Sequence, residues 1–241
     1  MRNLITISQF VVKELIRRKD FYFILSLLLV MIFFASSASF GGEVGFSRYF
    51  KEIGLTLVYA FSVVIAVSFA ARQIPDEVES KTAYVVLTRP LSRLQFIVGK
   101  FLGVFFISAV SFTVFYGVLI AALLMRNDHT TPPVLILEGY LLALALLSFM
   151  TSLTILLSLY LSAMANTSIA LIVYLGSTWF GANVSAYIFL PHPELFDIKD
   201  RFVHSSEIIP AWVVSFLLVY AAIYTASFLM LGNLTFRKRN L

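Results

Sequence analysis

Long apolar stretches separated by short polar segments make up most of the chain. A helix needs about 20 mainly apolar residues to cross a bilayer. Six stretches meet this requirement and predict spanning helices at 21–40, 54–71, 97–125, 137–163, 168–190 and 211–232. The third and fourth are long enough to tilt in the bilayer or to project beyond it. The pattern therefore predicts an all-α integral membrane protein with six transmembrane helices.

Residues 1–19 follow an amphipathic pattern instead. One helical face would carry Leu4, Ile7, Val11 and Leu15, and the opposite face Arg2, Gln9, Lys13 and Arg17. Such a helix suits the headgroup layer of a membrane. The alternative, an early start of the first spanning helix, would bury Lys13 and Arg17. A cleaved signal peptide is a further alternative, but the apolar run after Lys19 extends towards spanning length, which favours a retained helix.

Composition supports a membrane protein. Of the 241 residues, 60% are hydrophobic and 13% are charged, whereas soluble domains have about 45–50% apolar and about 25% charged residues. The net charge of +5 requires no nucleic-acid partner, because surplus Lys and Arg usually mark cytoplasmic loops. The chain has no cysteine, which excludes disulfides, thiolate metal sites and a catalytic Cys.

The distribution of the 18 Lys and Arg predicts the orientation. Five lie in 1–19, five in 72–100 and three in 237–239, whereas five lie in the segments on the other side. By the positive-inside rule both termini and the segment 72–100 are cytoplasmic. The segments 41–53 and 191–210 are then outer loops, and the second is predicted to form one or two short helices on the membrane.

The cytoplasmic region 76–96 has the pattern of a short helix followed by a corner. Asp76 and Glu79 have the spacing of a helix cap and its partner. Arg89 precedes Pro90, which disfavours a continuing helix there and allows a new one to start. The region can therefore dock on a soluble partner and pass movement into the membrane. An ordinary loop that carries positive-inside charges is the alternative, which the residues alone leave open.

A motif in this region adds a family resemblance. The stretch ESKTAYVVLTRPLSRLQFIVGKFLG (79–103) resembles the cytoplasmic loop of ABC-2 type transporter permeases. It is most similar to the branch that acts in multicopper-enzyme maturation, including nitrous-oxide-reductase maturation. Many members have Gly-Thr where this chain has Lys81-Thr82, and this departure favours the maturation branch. The stretch 156–176 resembles the family's turn between the fourth and fifth helices, and residues 1–19 resemble its elbow helix.

The resemblance implies an ABC-2, type V exporter-like fold for a single domain, 1–241. It implies two permease copies side by side, with the first and fifth spanning helices at their seam, in the inner membrane of a prokaryote. Two cytoplasmic ATPase subunits would hold ATP and Mg, with no cofactor on this chain. The residues implied in coupling to the ATPase are Glu79, Lys81, Thr82, Arg89, Pro90, Ser92 and Arg93.

The fifth spanning helix carries small and polar residues that allow close helix approach. These candidates for the dimer seam or the translocation path are Ser168, Gly176, Ser177, Gly181 and Asn183. Packing within one subunit explains them equally well.

Several functions are disfavoured. The chain lacks a G-x(4)-G-K-[ST] phosphate loop, so ATP would bind to a separate subunit. No spanning helix has a clear ionisable residue at mid-depth, which argues against a proton-coupled carrier. His192, Glu194, Asp197, Asp200 and His204 lie in the outer loop 191–210, where solvated side chains are a better interpretation than a metal site.

Two functional hypotheses remain. The first is a permease subunit, not itself an enzyme, that couples ATP hydrolysis by its partner to translocation of an unidentified substrate. The second is a scaffold that transmits force to an extracytoplasmic partner through 191–210 and moves no solute. A proton-coupled carrier or an intramembrane enzyme is the least favoured.

Overall fold

Helices form all of the regular structure in the residues that the computed structural model describes, namely 2–37, 42–76, 93–125, 131–180, 192–205 and 208–238. The α-helices within these ranges are α1 (Arg2–Ile16), α2 (Lys19–Ser37), α3 (Gly42–Arg72), α4 (Arg93–Met125), α5 (Pro133–Leu157), α6 (Ala163–Phe180) and α7 (Ala211–Lys238). A 3-10 turn (Pro193–Phe196) and a π-helical turn (Arg201–Ser205) lie between α6 and α7.

Four of these helices are long and apolar enough to cross a membrane, which indicates a multi-pass membrane protein. The candidate spans are Arg48–Arg72, Arg93–Met125, Pro133–Leu157 and Ala211–Thr235. The prediction of long apolar helices that could span a membrane is confirmed for these four. Among the described residues, α2 and α6 contain only shorter apolar segments, Phe21–Ile32 and Ala163–Ser177, so the count of six stays a prediction.

The centre of the bundle is formed by α3 and α5. Helix α3 contacts α2, α4, α5 and α6, while α7 packs on α5 and α4, and α1 packs on α4. We call one end of the bundle the Lys100 end, where α3 ends, α4 begins and α1 meets α2. The opposite end, where α5 and α7 begin, is the Glu138 end.

Hydrogen bonds from buried tyrosines tie the central helices together. The Tyr59 hydroxyl donates to the Gly139 carbonyl at 3.1 Å, and the Tyr116 hydroxyl donates to the Ile136 carbonyl at 2.9 Å. The Tyr59 ring also meets the Phe112 ring edge to face at 5.8 Å. Since helices in a bilayer gain little hydrophobic free energy from contact with each other, such packing and hydrogen bonding specify their arrangement.

The outer face of α7 is apolar along its length. Trp212, Phe216, Val219 and Ile223 are all more than half exposed, and their spacing of three or four residues places them in one stripe. A soluble surface rarely carries a continuous apolar stripe of this kind. It therefore suits contact with lipid chains.

Several helix boundaries differ from the sequence-based predictions. Helix α3 starts at Gly42, so the predicted outer loop 41–53 is wrong for most of its length. Helix α5 runs from Pro133 to Leu157 rather than over 137–163. Proline at its first position allows the early start. Helix α7 ends at Lys238, beyond the predicted 232.

The described part of the 191–210 region is packed into the bundle. It forms two short helical turns, as predicted, but Phe196 and Phe202 are almost fully buried. The Phe196 ring lies 6.2 Å from the Phe149 ring of α5. The buried Glu138 side chain accepts a hydrogen bond from the backbone N–H of Ile209 at 3.0 Å. The region is therefore held at the Glu138 end, not simply laid on a membrane surface.

Candidate functional site

The N-terminal helix α1 lies directly against the first turns of α4. Val11 and Leu15, from the apolar face predicted for 1–19, are each 1% exposed. A Cβ atom at Gly103 would lie 2.6 Å from the Val11 Cβ, and one at Gly99 would lie 2.7 Å from the Ile7 Cγ2. Real Cβ atoms do not approach so closely, so the two glycines provide the surface on which α1 rests.

Arg18 connects the corner between α1 and α2 to the end of the α3 region. Its Nη2 atom donates to Asp76 Oδ2 at 2.7 Å and to Glu14 Oε1 at 3.2 Å. Partial burial alone would lower the pKa of Arg18, but the hydrogen bonds and charges of Asp76 and Glu14 outweigh it and raise the pKa. The guanidinium is thus charged at any physiological pH and holds the corner of α1 and α2 to Asp76.

Lys100 connects the beginning of α4 to the end of α3. The residue is 3% exposed, and its Nζ atom donates to Gln73 Oε1 at 3.0 Å. The ammonium also lies 5.8 Å from the centre of the Phe96 ring, one turn earlier on α4, where the attraction of a cation to a ring face adds to the hydrogen bond. A buried charge requires such partners, because desolvation is costly.

We call these contacts the Lys100-end junction, formed by Glu14, Arg18, Gln73, Asp76, Phe96 and Lys100. The junction is a candidate functional site because it lies beside the segment 77–92. Asp76 and Arg93 are the described residues on either side of 77–92, the segment with most of the motif. The junction thus surrounds the two points where this segment leaves and rejoins the bundle.

The predicted coupling residues fall on both sides of the boundary of the described residues. Arg93 is the first residue of α4 and is partly exposed. The others lie outside the described residues: Glu79, Lys81, Thr82, Arg89, Pro90 and Ser92. Their assignment stays a prediction.

The small and polar residues predicted on the fifth spanning helix occupy two faces of α6. Ser168 is exposed, and a Cβ atom at Gly176 would meet none of the described atoms within 4 Å. Ser177 is instead buried and donates to the Tyr174 carbonyl at 2.7 Å. Packing among the described residues thus accounts for Ser177 but not for Gly176. Gly181 and Asn183 lie outside the described residues.

Comparison with known families assigns most of the chain to one family. Residues 23–241 match the family DUF2705, described as a protein of unknown function. The chain belongs to the DUF2705 family. A comparison with curated proteins finds no match. Because the DUF2705 match begins at residue 23, it includes the motif and all four long spans but not α1.

Some residues that define the site in this DUF2705 protein have only a weak signal in the sequence. In the sequence Arg18 is one of several basic residues that mark a side of the membrane. Gln73 had no signal at all, because an amide after a spanning helix is common in any loop. Gly99 and Gly103 were part of the motif, and their spacing of four residues was the available sign of a helix packed against that face.

Proposed function

We propose that the chain is the membrane-spanning permease subunit of an ATP-binding-cassette transporter. A separate ATPase subunit would hydrolyse ATP, with the segment 76–96 as its contact on this chain. The observation that carries the proposal is the placement of the Lys100-end junction. The segment that resembles a coupling loop is preceded by Asp76, which is bound to Arg18. It is followed by α4, which the hydrogen bond from Lys100 to Gln73 joins to the end of α3.

The junction gives a route by which movement of that segment reaches the membrane. A partner that displaces 77–92 pulls on Asp76, which is bound to Arg18 at the corner of α1 and α2. The hydrogen bond from Lys100 to Gln73 makes the ends of α3 and α4 move together. Because packed helices move as rigid elements, a shift at the Lys100 end is passed along α3 and α4 to the Glu138 end.

The proposal includes six spans with both termini in the cytoplasm. Helix α2 has 19 residues and the described α6 has 18, or about 28 Å and 27 Å at 1.5 Å per residue. These lengths approach the hydrocarbon thickness of about 30 Å. The side of α6 with the exposed Ser168 and the partly exposed Gly176 would face a second copy of the permease.

Reversal of charge in the coupling region tests the assignment. The chain is co-expressed with the ATP-binding-cassette ATPase encoded nearest to its gene, and the complex is reconstituted in liposomes. We expect Arg89→Glu with Arg93→Glu to remove the permease-dependent part of ATP hydrolysis, because the docking surface changes sign. The matched control is Arg48→Glu, an exposed residue at the opposite end of the bundle.

The membrane content of each variant is measured alongside, so that a failure of insertion is recognised. If the double reversal hydrolyses ATP as fast as the unmodified complex, or if no ATPase forms a complex with the chain, the proposed coupling role is wrong.

A second candidate is a scaffold that transmits force to an extracytoplasmic partner without moving solute. It is favoured by the attachment of 192–205 and 208–210 to the bundle, in part through Glu138 and Ile209, since an attached segment moves with the helices. Replacing 199–205 by a Gly/Ser linker separates the two roles. A scaffold would lose its downstream effect while ATP hydrolysis continues, whereas a transporter would retain solute flux.

A further inference from the structure

A cavity of about 460 Å³ opens at the Glu138 end, between α3, α6 and the segment 192–205. Its walls include Thr56 and Ala60 of α3 and Tyr174 and Leu175 of α6. The volume falls within the range of about 300–1,000 Å³ that is usual for small-molecule sites. The side of the cavity that α3 and α6 form is largely apolar and aromatic.

The other side of the cavity is acidic. Its lining includes Glu194, Asp197, Asp200 and a single cation, Lys199. Lys199 forms an ion pair with Asp197, with Nζ 2.8 Å from Oδ2. The Oε1 atom of Glu194 lies 2.8 Å from Nδ1 of His192. Among the residues described, Asp200 forms no ion pair. The lining thus has an excess of negative charge next to an apolar wall.

The Tyr174 side chain gives independent evidence for a ligand. The residue is 7% exposed and lines the cavity, yet its hydroxyl has no hydrogen-bond partner in the described part of the chain. The Tyr174 hydroxyl is not among the fully enclosed polar atoms without a partner, so it is accessible from the cavity, whereas the hydroxyls of Tyr59 and Tyr116 bond to carbonyl groups inside the bundle. An unpartnered phenol in a cavity is a position that a ligand atom can satisfy.

We propose that this cavity binds a small organic cation, an amine or guanidine attached to an apolar group. The charged head would lie at Asp200, the Tyr174 hydroxyl would accept a hydrogen bond from it, and the apolar group would pack on Ala60 and Leu175. A metal ion is a poorer fit, because the described residues contain no group of three His, Asp or Glu side chains arranged to hold one. The proposal concerns binding alone and is independent of the transport role.

Binding of benzylammonium to the full-length chain in lipid nanodiscs tests the proposal, with benzoate as the anionic counterpart. We expect saturable heat of binding in calorimetry for benzylammonium and none for benzoate. Asp200→Asn should weaken binding about fivefold through loss of the charge. Tyr174→Phe, which removes only the hydroxyl, should weaken it by a similar factor of about five.

The control for Tyr174→Phe is Tyr160→Phe. This tyrosine is exposed at the Lys100 end, where its hydroxyl bonds to the Thr235 hydroxyl at 2.8 Å, and its loss should leave the affinity unchanged. Thermal melting without ligand verifies that each variant is folded. The proposal is overturned if benzylammonium fails to saturate, if benzoate binds as well, or if Asp200→Asn or Tyr174→Phe binds as tightly as the unmodified chain.

Discussion

Replacement of Gly103 by alanine should force α1 and α4 apart. The added Cβ atom would lie 2.6 Å from the Val11 Cβ, 2.7 Å from the Val11 Cγ1 and 3.0 Å from the Ser8 carbonyl oxygen. Neither neighbour can yield easily, because valine is stiff about χ1 and the oxygen belongs to the backbone of α1. The clash can be relieved only by a displacement of one helix relative to the other.

Two opposing contributions determine how much Gly103→Ala changes the free energy of unfolding. Alanine in place of glycine within a helix gains about 0.8–1 kcal/mol through helix propensity. Overpacking in a tight contact costs about 1–3 kcal/mol. Displacement of α1 also loosens Val11 and Leu15, which are now buried. We therefore expect a net loss on the order of 1–2 kcal/mol of unfolding free energy.

The same substitution at Gly117 is a matched control. Gly117 lies on the same helix, but a Cβ atom there would meet no atom of the described residues within 4 Å. Gly117→Ala should therefore be neutral or stabilising by up to about 1 kcal/mol. The difference between the two variants isolates the contact with α1 from the general effect of alanine in α4.

Unfolding by sodium dodecyl sulfate in mixed micelles, followed by tryptophan fluorescence, measures both free energies. Gly103→Ala should unfold at a lower mole fraction of this detergent than Gly117→Ala. If the two variants unfold together, α1 does not rest on α4 at Gly103, and the role of that helix in the Lys100-end junction is refuted.

Further predictions concern the two ends of the bundle. Gln73→Leu should cost about 1–3 kcal/mol of unfolding free energy, because the Lys100 ammonium loses a buried acceptor, whereas Gln73→Glu should retain the stability in the same assay. Single cysteines at Tyr160 and Leu195, introduced into the cysteine-free chain, should react with an impermeant maleimide from opposite sides of the membrane, and labelling from one side would contradict the six-span topology. Glu138→Ala should increase hydrogen exchange at the backbone N–H of Ile209, while Glu138→Gln, which keeps an acceptor oxygen, should not.

The positions of the spanning helices were predictable because the bilayer requires apolar surface over a fixed length. Their boundaries were less predictable, because a helix can continue where the membrane ends. Helix α3 extends back to Gly42 through a charged stretch, and there Phe50 is 2% exposed although Arg48 and Glu52 are near it in sequence. Local hydropathy cannot identify a helix that is stabilised by such tertiary contacts.

The end of α5 illustrates the opposite error. The apolar run continues to residue 163, but the helix ends at Leu157. The Asn166 amide, from the first turn of α6, donates to the Thr154 carbonyl at 3.0 Å, which also accepts the backbone N–H of Ser158 at 2.9 Å. This bond joins the end of α5 to the start of α6. A hydrogen bond from a side chain of the following helix depends on tertiary structure, and the apolar pattern contains no trace of it.

The partner of α1 was also beyond the sequence pattern. Periodicity predicts which face of 1–19 is apolar, but lipid and protein are equally suitable neighbours for that face. The structure places Val11 and Leu15 against α4, while Phe10 remains 73% exposed and free for contact with lipid. The predicted amphipathic helix is thus present, and its interfacial position stays a prediction.

A positive charge can set the topology of a membrane protein or can specify a contact between its helices, and the charge of Lys100 does the second. If the charge served only to keep one side of the membrane cytoplasmic, an exposed position would serve without the cost of burial. Lys100 is instead buried against Gln73 and Phe96. Buried polar contacts are weak evidence for stability and better evidence for a specific register. The register defined here is that between the end of α3 and the start of α4, where the segment 77–92 is attached. A loop that transmits force requires such a defined attachment, whereas a loop that only carries charge does not.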